Sequence, residues 1–234
     1  MIDKLLKVPQ LEEVSEGIYS YLNTSDRQSS YDSKVKAYDM VVGNSFYNRL
    51  IWGNWPSNYQ DFCRKALNNS PEGIYLDAGC GSLVFTASVY AEANNKLIVL
   101  LDRSIGMLEQ GRNRIKKLVG HVPNNIVFIQ GDIFSLPFHD NVFDTIASFG
   151  VLHMFDEKMR LLSELERVKC DGGKLFFTSL VGNNAIGRKY LEILRSAGEV
   201  ATCYSSESLS NIISTMPFKY NLSSIGNMAY AKSA

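Results

Sequence analysis

The strongest local pattern in the chain is IYLDAGCGSL at residues 74–83. A short apolar run that ends in Asp77 is typical of a buried strand, and Gly79 and Gly81 follow where the strand must turn into a helix. Glycine has no Cβ, so the backbone N–H groups of such a turn can approach a ligand closely. The pattern therefore predicts a strand, a turn and a helix, and the turn is either a ligand-binding loop or a tight structural connection.

The residues that follow alternate between short apolar runs and longer amphipathic segments. This alternation predicts an α/β fold with a doubly wound, mostly parallel sheet. The predicted strands are 74–77, 97–102, 126–130, 143–149 and 174–181, and the predicted helices are 104–119, 156–169, 184–197 and 206–216. The tail, 218–232, predicts an antiparallel hairpin around the turn-prone residues 224–227, which gives seven strands in all.

The first 70 residues have a different composition, rich in tyrosine and asparagine. The spacing of Leu5, Leu11, Val14 and Ile18 predicts helices. We therefore expect an N-terminal helical cap or lid over residues 1–70 and a sheet domain over residues 71–234. The chain has no internal repeat or low-complexity linker, so the two parts are expected to form one unit.

Composition limits the classes of protein that the chain can represent. Its 234 residues contain 24 Lys plus Arg and 24 Asp plus Glu, and this zero net charge disfavours nucleic-acid binding. No segment approaches the run of about 18 apolar residues that spans a bilayer, so we expect a cytoplasmic protein without a membrane partner. Its four cysteines are too scattered for zinc-ligand spacing, and we expect no metal site.

Two further strand ends carry residues that suit a nucleoside. Asp102 ends the second predicted strand, twenty-five positions after Asp77, where a carboxylate can accept hydrogen bonds from both hydroxyls of a ribose. Asp132 and Ile133 follow the third predicted strand, and they could meet an exocyclic amine and the face of a ring. Asp102 as a helix cap and Asp132 as a turn residue are the simpler alternatives.

In these motifs the sequence resembles the class I S-adenosylmethionine-dependent methyltransferases, in particular the ubiquinone/menaquinone-type and small-molecule enzymes. The resemblance covers about residues 74 to 182 and includes the glycine motif at 77–83, the acidic segment at 102–108, GD at 131–132 with LPF at 136–138, and the fourth strand at 143–149. It implies a Rossmann-like fold and S-adenosylmethionine as the cofactor. The third glycine of the family motif is Leu83 here, which implies a displaced start of the following helix.

The resemblance also implies roles for individual residues. Asp102 would bind the ribose, Met107 and Ile133 would enclose the adenine, and Tyr38, in a Tyr-Asp element like the one at Tyr31-Asp32, would cover the methionyl end. The full set of expected cofactor-binding residues is Tyr38, Asp77, Ala78, Gly79, Cys80, Gly81, Asp102, Arg103, Met107, Asp132, Ile133, Ser148 and Phe149.

The expected reaction is methyl transfer by in-line displacement to an O, N or C nucleophile of a small, aromatic or apolar molecule. His153 is the candidate general base, and a helix-capping or packing role explains the residue equally well. Aromatic residues of the cap and of the segment after residue 183 are candidates for the acceptor pocket, with core packing as the alternative: Phe46, Tyr47, Trp52, Trp55, Tyr190, Leu194 and Tyr204.

Four other functions are alternatives to this interpretation. A nicotinamide-dependent oxidoreductase also uses a glycine turn and an acid, but the GD element has no role in it. A protein methyltransferase and a cofactor-binding protein without transfer activity both stay open. A nucleic-acid methyltransferase is disfavoured by the absence of a basic stripe.

Overall fold

One mixed sheet of nine strands organises the described residues of the computed structural model, which are 2–29, 32, 43–93 and 96–234. The strands are β1 (Glu12–Ser15), β2 (Ile18–Ser20), β3 (Tyr75–Ala78), β4 (Ile98–Asp102), β5 (Ile126–Gln130), β6 (Phe143–Ser148), β7 (Lys169–Leu180), β8 (Tyr220–Ile225) and β9 (Met228–Ser233). Their order is β1-β2-β5-β4-β3-β6-β7-β9-β8. The five strands from β3 to β7 run parallel to one another, as the alternation in the sequence predicts.

The helices cover both faces of this sheet. They are α1 (Ser45–Tyr47), α2 (Pro56–Leu67), α3 (Ala87–Ala91), α4 (Ile105–Val119), α5 (Lys158–Val168), α6 (Ala185–Ser196) and α7 (Ser206–Ser214). A π-helical turn over Asn48–Trp52 continues α1, and 3-10 turns occupy Ile2–Leu5, Thr24–Asp26 and Leu152–Met154. Within the described ranges, no helix is long and apolar enough to cross a membrane.

Strand β3 shows why the chain folds in layers. Tyr75 packs into one apolar core with α2, α3 and α4, whereas Leu76 packs into the core on the other side of the sheet with α5 and α7. All four residues of β3 are buried, which is the pattern of a central parallel strand covered on both faces. The strand order reverses between β3 and β6, so the carboxyl ends of these two strands border the crevice in which doubly wound sheets bind ligands.

The prediction of seven strands and of helices near the N-terminus is wrong for residues 12–20. These residues form a β-hairpin, and β2 adds to the sheet parallel to β5 with Ile18 opposite Phe128. Two residues, Glu16 and Gly17, connect the hairpin strands, and this short connection favours paired strands over a helix. Ile18 is buried by contacts with β5 that are distant in sequence, so local helical spacing was a misleading signal.

The C-terminal hairpin is confirmed, and its turn joins three parts of the fold. Asn227 is buried, and its side-chain oxygen accepts hydrogen bonds from the backbone of Asn183 (3.0 Å) and Asn184 (3.2 Å). Its side-chain nitrogen donates to the backbone oxygen of Ile51 at 3.1 Å. Its backbone N–H donates to the backbone oxygen of Trp52 at 2.7 Å. Asn227 therefore fastens the segment around Trp52 and the start of α6 to the edge of the sheet.

We expect Asn227→Ala to lower the free energy of unfolding by about 2–4 kcal/mol, because it leaves three partly buried backbone groups without their side-chain partner. Urea titration followed by circular dichroism measures this change. The matched control is Asn221→Ala, since Asn221 is exposed on β8 and should change stability by less than about 0.5 kcal/mol. Equal effects of the two variants would contradict the role of Asn227.

Candidate functional site

The glycine turn after β3 borders an open space. Gly79 and Cys80 donate their N–H groups to the backbone oxygen of Leu101, at 2.7 and 2.9 Å, which fixes the turn against β4. Gly79 and Gly81 have φ angles of +80° and +59°, in the left-handed region that favours glycine. A Cβ on Gly79 would lie 2.5 Å from Val151, whereas a Cβ on Gly81 would have no heavy atom of the described chain within 4 Å.

Asp102 connects this turn to the end of β4. Its Oδ2 accepts a hydrogen bond from the Gly81 N–H at 2.8 Å, and its Oδ1 accepts one from the Ser104 N–H at 2.9 Å. Burial raises the pKa of the Asp102 carboxyl, against the lowering effect of these hydrogen bonds. Each carboxylate oxygen has a second lone pair, so the group can accept two further hydrogen bonds from a ligand.

Asp77 lies beneath the same turn and is only 2% exposed. The hydroxyl of Tyr90 donates to its Oδ2 at 2.6 Å, while its Oδ1 is buried without a hydrogen-bond partner among the described residues. The pKa of Asp77 is raised to about 7, mainly by burial and in part by the charge of Asp102, against the lowering effect of the Tyr90 hydrogen bond. A buried acceptor of this kind is costly unless a ligand satisfies it.

The end of β5 supplies the third side of the space. Ile133 is buried, and its Cδ1 lies 3.6 Å from the Cβ position of Gly79, so it stands directly beside the glycine turn. The Oδ1 of Asp132 accepts a hydrogen bond from the N–H of Phe134 at 2.8 Å. Met107 is buried in the first turn of α4, which Ser104 caps by accepting the Met107 N–H at 3.2 Å. The strand ends of β3, β4 and β5 therefore meet as expected.

Three residues of this region had no signal in the sequence. The hydroxyl of Tyr21 donates to the backbone oxygen of Ser135 at 2.6 Å and accepts the N–H of Asp132 at 2.8 Å. The side chain of Gln130 donates to the backbone oxygen of Arg103 at 3.1 Å. Tyr90, on α3, holds Asp77. Tyr21 is 111 positions from Asp132, so no spacing rule could have paired the two.

Four other residues expected to bind the cofactor lie in or directly after strands β3 and β6. Ala78 is buried in β3, and burial raises the pKa of the Cys80 thiol, so that this group stays protonated at neutral pH. Ser148 ends β6 with a buried hydroxyl that has no partner in the described part of the chain. The ring of Phe149 packs on Tyr59 and Phe62 of α2, so its side chain belongs to the core.

The N-terminal segment reaches the site through Asp32. Its Oδ1 accepts the Ser104 hydroxyl at 2.5 Å and the Gly106 N–H at 3.2 Å, at the start of α4. One of the two Tyr-Asp elements noted in the sequence thus places its aspartate next to the Asp102 region. Tyr38, the residue expected to cover the methionyl end, lies outside the described residues.

His153 follows β6 in a 3-10 turn and is partly exposed. Its Nδ1 accepts the N–H of Leu180 at 3.2 Å, which places the ring proton of neutral imidazole on Nε2. Burial, helped by the nearby Lys158 charge, lowers the pKa of His153 to about 3. At neutral pH the ring is therefore uncharged, and Nδ1 is engaged with the end of β7.

Several aromatic residues expected in the acceptor pocket do meet one another. The rings of Trp52 and Tyr190 lie 5.4 Å apart edge to face, and the rings of Tyr47 and Tyr190 lie 5.8 Å apart, so the segment before α2 packs directly on α6. Leu194 packs against the same cluster. Trp55 and Phe46 are exposed, and Tyr204 lies elsewhere, beneath the Lys158 ammonium group.

The residues at the crevice fit the adenosyl cofactor that the motifs imply. The space beside Gly81, the two hydrogen-bonded oxygens of Asp102, and the unpartnered oxygens of Asp77 and Ser148 lie at the carboxyl ends of neighbouring strands. These features define a nucleoside-binding protein of the doubly wound α/β class. The acceptor oxygens suit a ligand rich in hydroxyl and amino donors.

Comparison with known proteins identifies the family. Residues 76–177 match the family described as methyltransferase domain. The chain is 30% identical over 188 residues to a demethylmenaquinone methyltransferase of Mycolicibacterium gilvum, with 79% of this chain and 74% of that protein covered. It is 28% identical over 216 residues to the ubiquinone/menaquinone biosynthesis C-methyltransferase UbiE of Wigglesworthia glossinidia brevipalpis, covering 89% and 80%. The chain belongs to the class I S-adenosylmethionine-dependent methyltransferases.

Other comparisons agree with the fold. A demethylmenaquinone methyltransferase of Corynebacterium kroppenstedtii is 32% identical over 146 residues, 62% of this chain, and the match spans a little over half of that relative's length, 56%. A SAM-dependent methyltransferase from Aquifex aeolicus has a TM-score of 0.60 at 16% identity, with 86% of this chain and 97% of that chain covered. Geranyl diphosphate C-methyltransferase from Streptomyces coelicolor has a TM-score of 0.61 at 12% identity, covering 88% and 97%.

Leu83, in the place of the third motif glycine, keeps a glycine-like backbone. Its φ is +57°, a conformation that costs about 1–2 kcal/mol for a residue with a side chain. Its side chain is 2% exposed and lies over Gly111 of α4, where a Cβ would stand 2.9 Å from Leu83 Cγ. A glycine in the helix thus makes the room that Leu83 in the loop requires, and the helix after the loop begins at Ala87.

We expect Gly111→Ala to lower the free energy of unfolding by about 1–3 kcal/mol, because its methyl group would clash with Leu83. On an open helix face the same change would stabilise the protein by about 1 kcal/mol. The sign of the change in the free energy of unfolding therefore shows whether Gly111 is in contact with Leu83. In the Leu83→Gly background Gly111→Ala should no longer destabilise the protein, because the side chain that the new methyl group would meet is gone. Asn113→Ala, at an exposed position of α4, is the control. A more stable Gly111→Ala protein in guanidinium titration would refute the pairing.

Proposed function

We propose that this protein methylates a ring carbon of a small quinol-type molecule with S-adenosylmethionine as the methyl donor. The observation that carries the donor site is the meeting of three strand ends around the open space beside Gly81, with Asp102 at its edge. The acceptor class is supported by the relatives, whose names specify methylation of demethylmenaquinone and C-methylation in ubiquinone and menaquinone biosynthesis.

The residues of the chain would bind and orient the donor. Asp102 would accept the two ribose hydroxyls, and Ile133 and Met107 would hold the adenine between apolar surfaces, with Asp132 near its amino group. Asp77 and Ser148 would accept hydrogen bonds at the methionyl end, where Gly79 and Gly81 allow close approach of the backbone. When bound, S-adenosylmethionine supplies a methyl group on a positively charged sulfur.

The chain would contribute mainly alignment and the exclusion of water. The partly exposed rings of Tyr47 and Tyr190 would offer the flat, apolar surface that a quinol ring requires, while the buried Trp52 packs the segment before α2 onto α6. A nucleic-acid acceptor has no support, because the formal charge is zero. The division at residue 70 and a cytoplasmic location stay predictions.

We propose that His153 is a positioning residue rather than the base, since Nδ1 receives the Leu180 N–H and the pKa is about 3. In that position the side chain would hold the turn after β6. The backbone oxygen of His153 also accepts the Ala201 N–H at 2.9 Å. Through these two contacts His153 would connect the turn after β6 to strand β7 and to the loop that follows α6.

For Asp102→Asn we expect at least a tenfold weaker affinity for S-adenosylmethionine in titration calorimetry. Two hydrogen bonds to a charged acceptor contribute about 1.5–3 kcal/mol each, and an amide cannot accept four N–H and O–H donors. Asp171→Asn changes an exposed acid on β7 and serves as the control. Unchanged affinity in the Asp102 variant would remove this residue from the site.

Incubation with the donor and a demethylated naphthoquinol should yield S-adenosylhomocysteine together with a ring-methylated product, detected by mass spectrometry. The oxidised quinone should not react, because its ring carbon is a poorer nucleophile. Methylated protein in a lysate, without quinol methylation, would favour a protein acceptor and contradict the proposed substrate class. Tight donor binding without any S-adenosylhomocysteine would contradict transferase activity.

For His153 we expect different results from two substitutions. Asparagine keeps a hydrogen-bond acceptor near the position of Nδ1, so His153→Asn should retain kcat within about threefold and keep the pH profile of the wild type. His153→Ala should lower the unfolding free energy by about 1–2 kcal/mol, because the Leu180 N–H loses its acceptor. If both variants lose turnover while remaining folded, His153 is the base and the positioning role is wrong.

A further inference from the structure

Tyr90, Tyr75 and Asp77 form a buried chain of hydroxyl and carboxyl groups under the glycine turn. Tyr90 donates to Asp77 Oδ2 at 2.6 Å, and its hydroxyl oxygen lies 3.3 Å from that of Tyr75. Since Tyr90 uses its hydrogen on Asp77, Tyr75 must be the donor in the second contact. Both tyrosines are 0% exposed, so this chain of polar groups is sealed from water on the core side.

We propose that Tyr90 is a positioning residue that holds Asp77 so that its unpartnered oxygen and negative charge serve the cationic methionyl end of the methyl donor. This inference rests on the proposed function and concerns the same site. Tyr90 lies on α3, the first helix after the turn, and it has no counterpart among the motif residues identified from the sequence.

The unpartnered oxygen is the observation that points to a ligand. A carboxylate kept only for packing would have both oxygens satisfied, because a buried acceptor without a partner costs about 1–3 kcal/mol or more. Asp77 Oδ1 has no partner in the described chain, and it belongs to the residue that leads into the open turn at Gly79 and Gly81. With Oδ2 held by Tyr90, the carboxyl cannot rotate without breaking that bond.

The positive charge of the methyl donor determines how this arrangement would affect turnover. S-adenosylmethionine and S-adenosylhomocysteine carry the same α-ammonium group, but only the methyl donor also carries a positive sulfur, which a buried negative charge attracts. A correctly held, ionised Asp77 would therefore favour the methyl donor over the spent product. The donor would bind more tightly and the product would leave more easily.

The surroundings of Asp77 determine how this preference depends on pH. The groups that face it are Tyr75 on β3, Tyr90 on α3, Cys63 on α2, and Cys80 and Asp102 at the turn. Burial raises the pKa of Cys63 to about 12 and also raises those of Cys80, Tyr75 and Tyr90, so these four stay neutral between pH 6 and 8. Asp77 and Asp102 are the acids of this group.

The sign of the effect follows from ionisation. Asp77, with a pKa of about 7, gains its charge as pH rises, so donor affinity should rise through neutral pH and then level off. The Tyr90 hydrogen bond lowers that pKa, and its loss would move the rise to higher pH. Product affinity should depend on pH less than donor affinity, because the product keeps the α-ammonium group but has lost the sulfonium charge.

The test compares Tyr90→Phe with Tyr75→Phe, which removes the neighbouring hydroxyl from an equally buried ring. Calorimetric affinities for S-adenosylmethionine and S-adenosylhomocysteine are measured from pH 6 to 9. Tyr90→Phe should weaken donor binding at pH 7 about tenfold, weaken product binding less than about threefold, and shift the donor profile upward by about one pH unit. Tyr75→Phe should leave both affinities within about twofold.

Equal losses for donor and product, or a profile that does not move, would overturn the role of Tyr90 while leaving the proposed function intact. Failure of the wild type to bind either compound would instead overturn the proposed function and this inference with it. Asp77→Asn provides an independent measurement if Tyr90→Phe does not fold. That variant should lose the rise of donor affinity near pH 7, and an unchanged rise would refute the inference.

Discussion

The hydrogen bond from the Gly81 N–H to the Asp102 carboxylate is the interaction on which the site depends. It joins the turn after β3 to the end of β4, and the second oxygen of the same carboxylate caps the approach to α4 through Ser104. One acid thereby fixes two strand ends and the start of a helix. The acid that we propose to bind the ribose is thus also part of the framework that shapes the crevice.

Several acidic side chains border the crevice. Asp32, Asp77 and Asp102 gather around one open space, and burial raises the pKa values of the latter two. Such a concentration of partly buried acids favours a positively charged ligand. The proposed preference for the methyl donor over its product would have this origin.

The methyltransferase framework tolerates a lost motif glycine when a second position compensates. Leu83 retains the left-handed backbone that glycine adopts easily, and Gly111 of α4 provides the space for its side chain. The two positions are 28 residues apart in the chain, so the motif alone predicted a displaced helix start and did not reveal this compensation. Packing across the sheet face explains how the turn keeps its shape.

From the sequence alone, the parallel strands, the helices after residue 104, the C-terminal hairpin and the donor class could be predicted, because buried strands, helix caps and strand-end acids leave local patterns. The pairing of β2 with β5, the Tyr90 contact with Asp77, the Leu83 contact with Gly111 and the orientation of His153 Nδ1 were decided by tertiary structure. Each depends on a pair of groups distant in the chain, and spacing contains no information about such contacts.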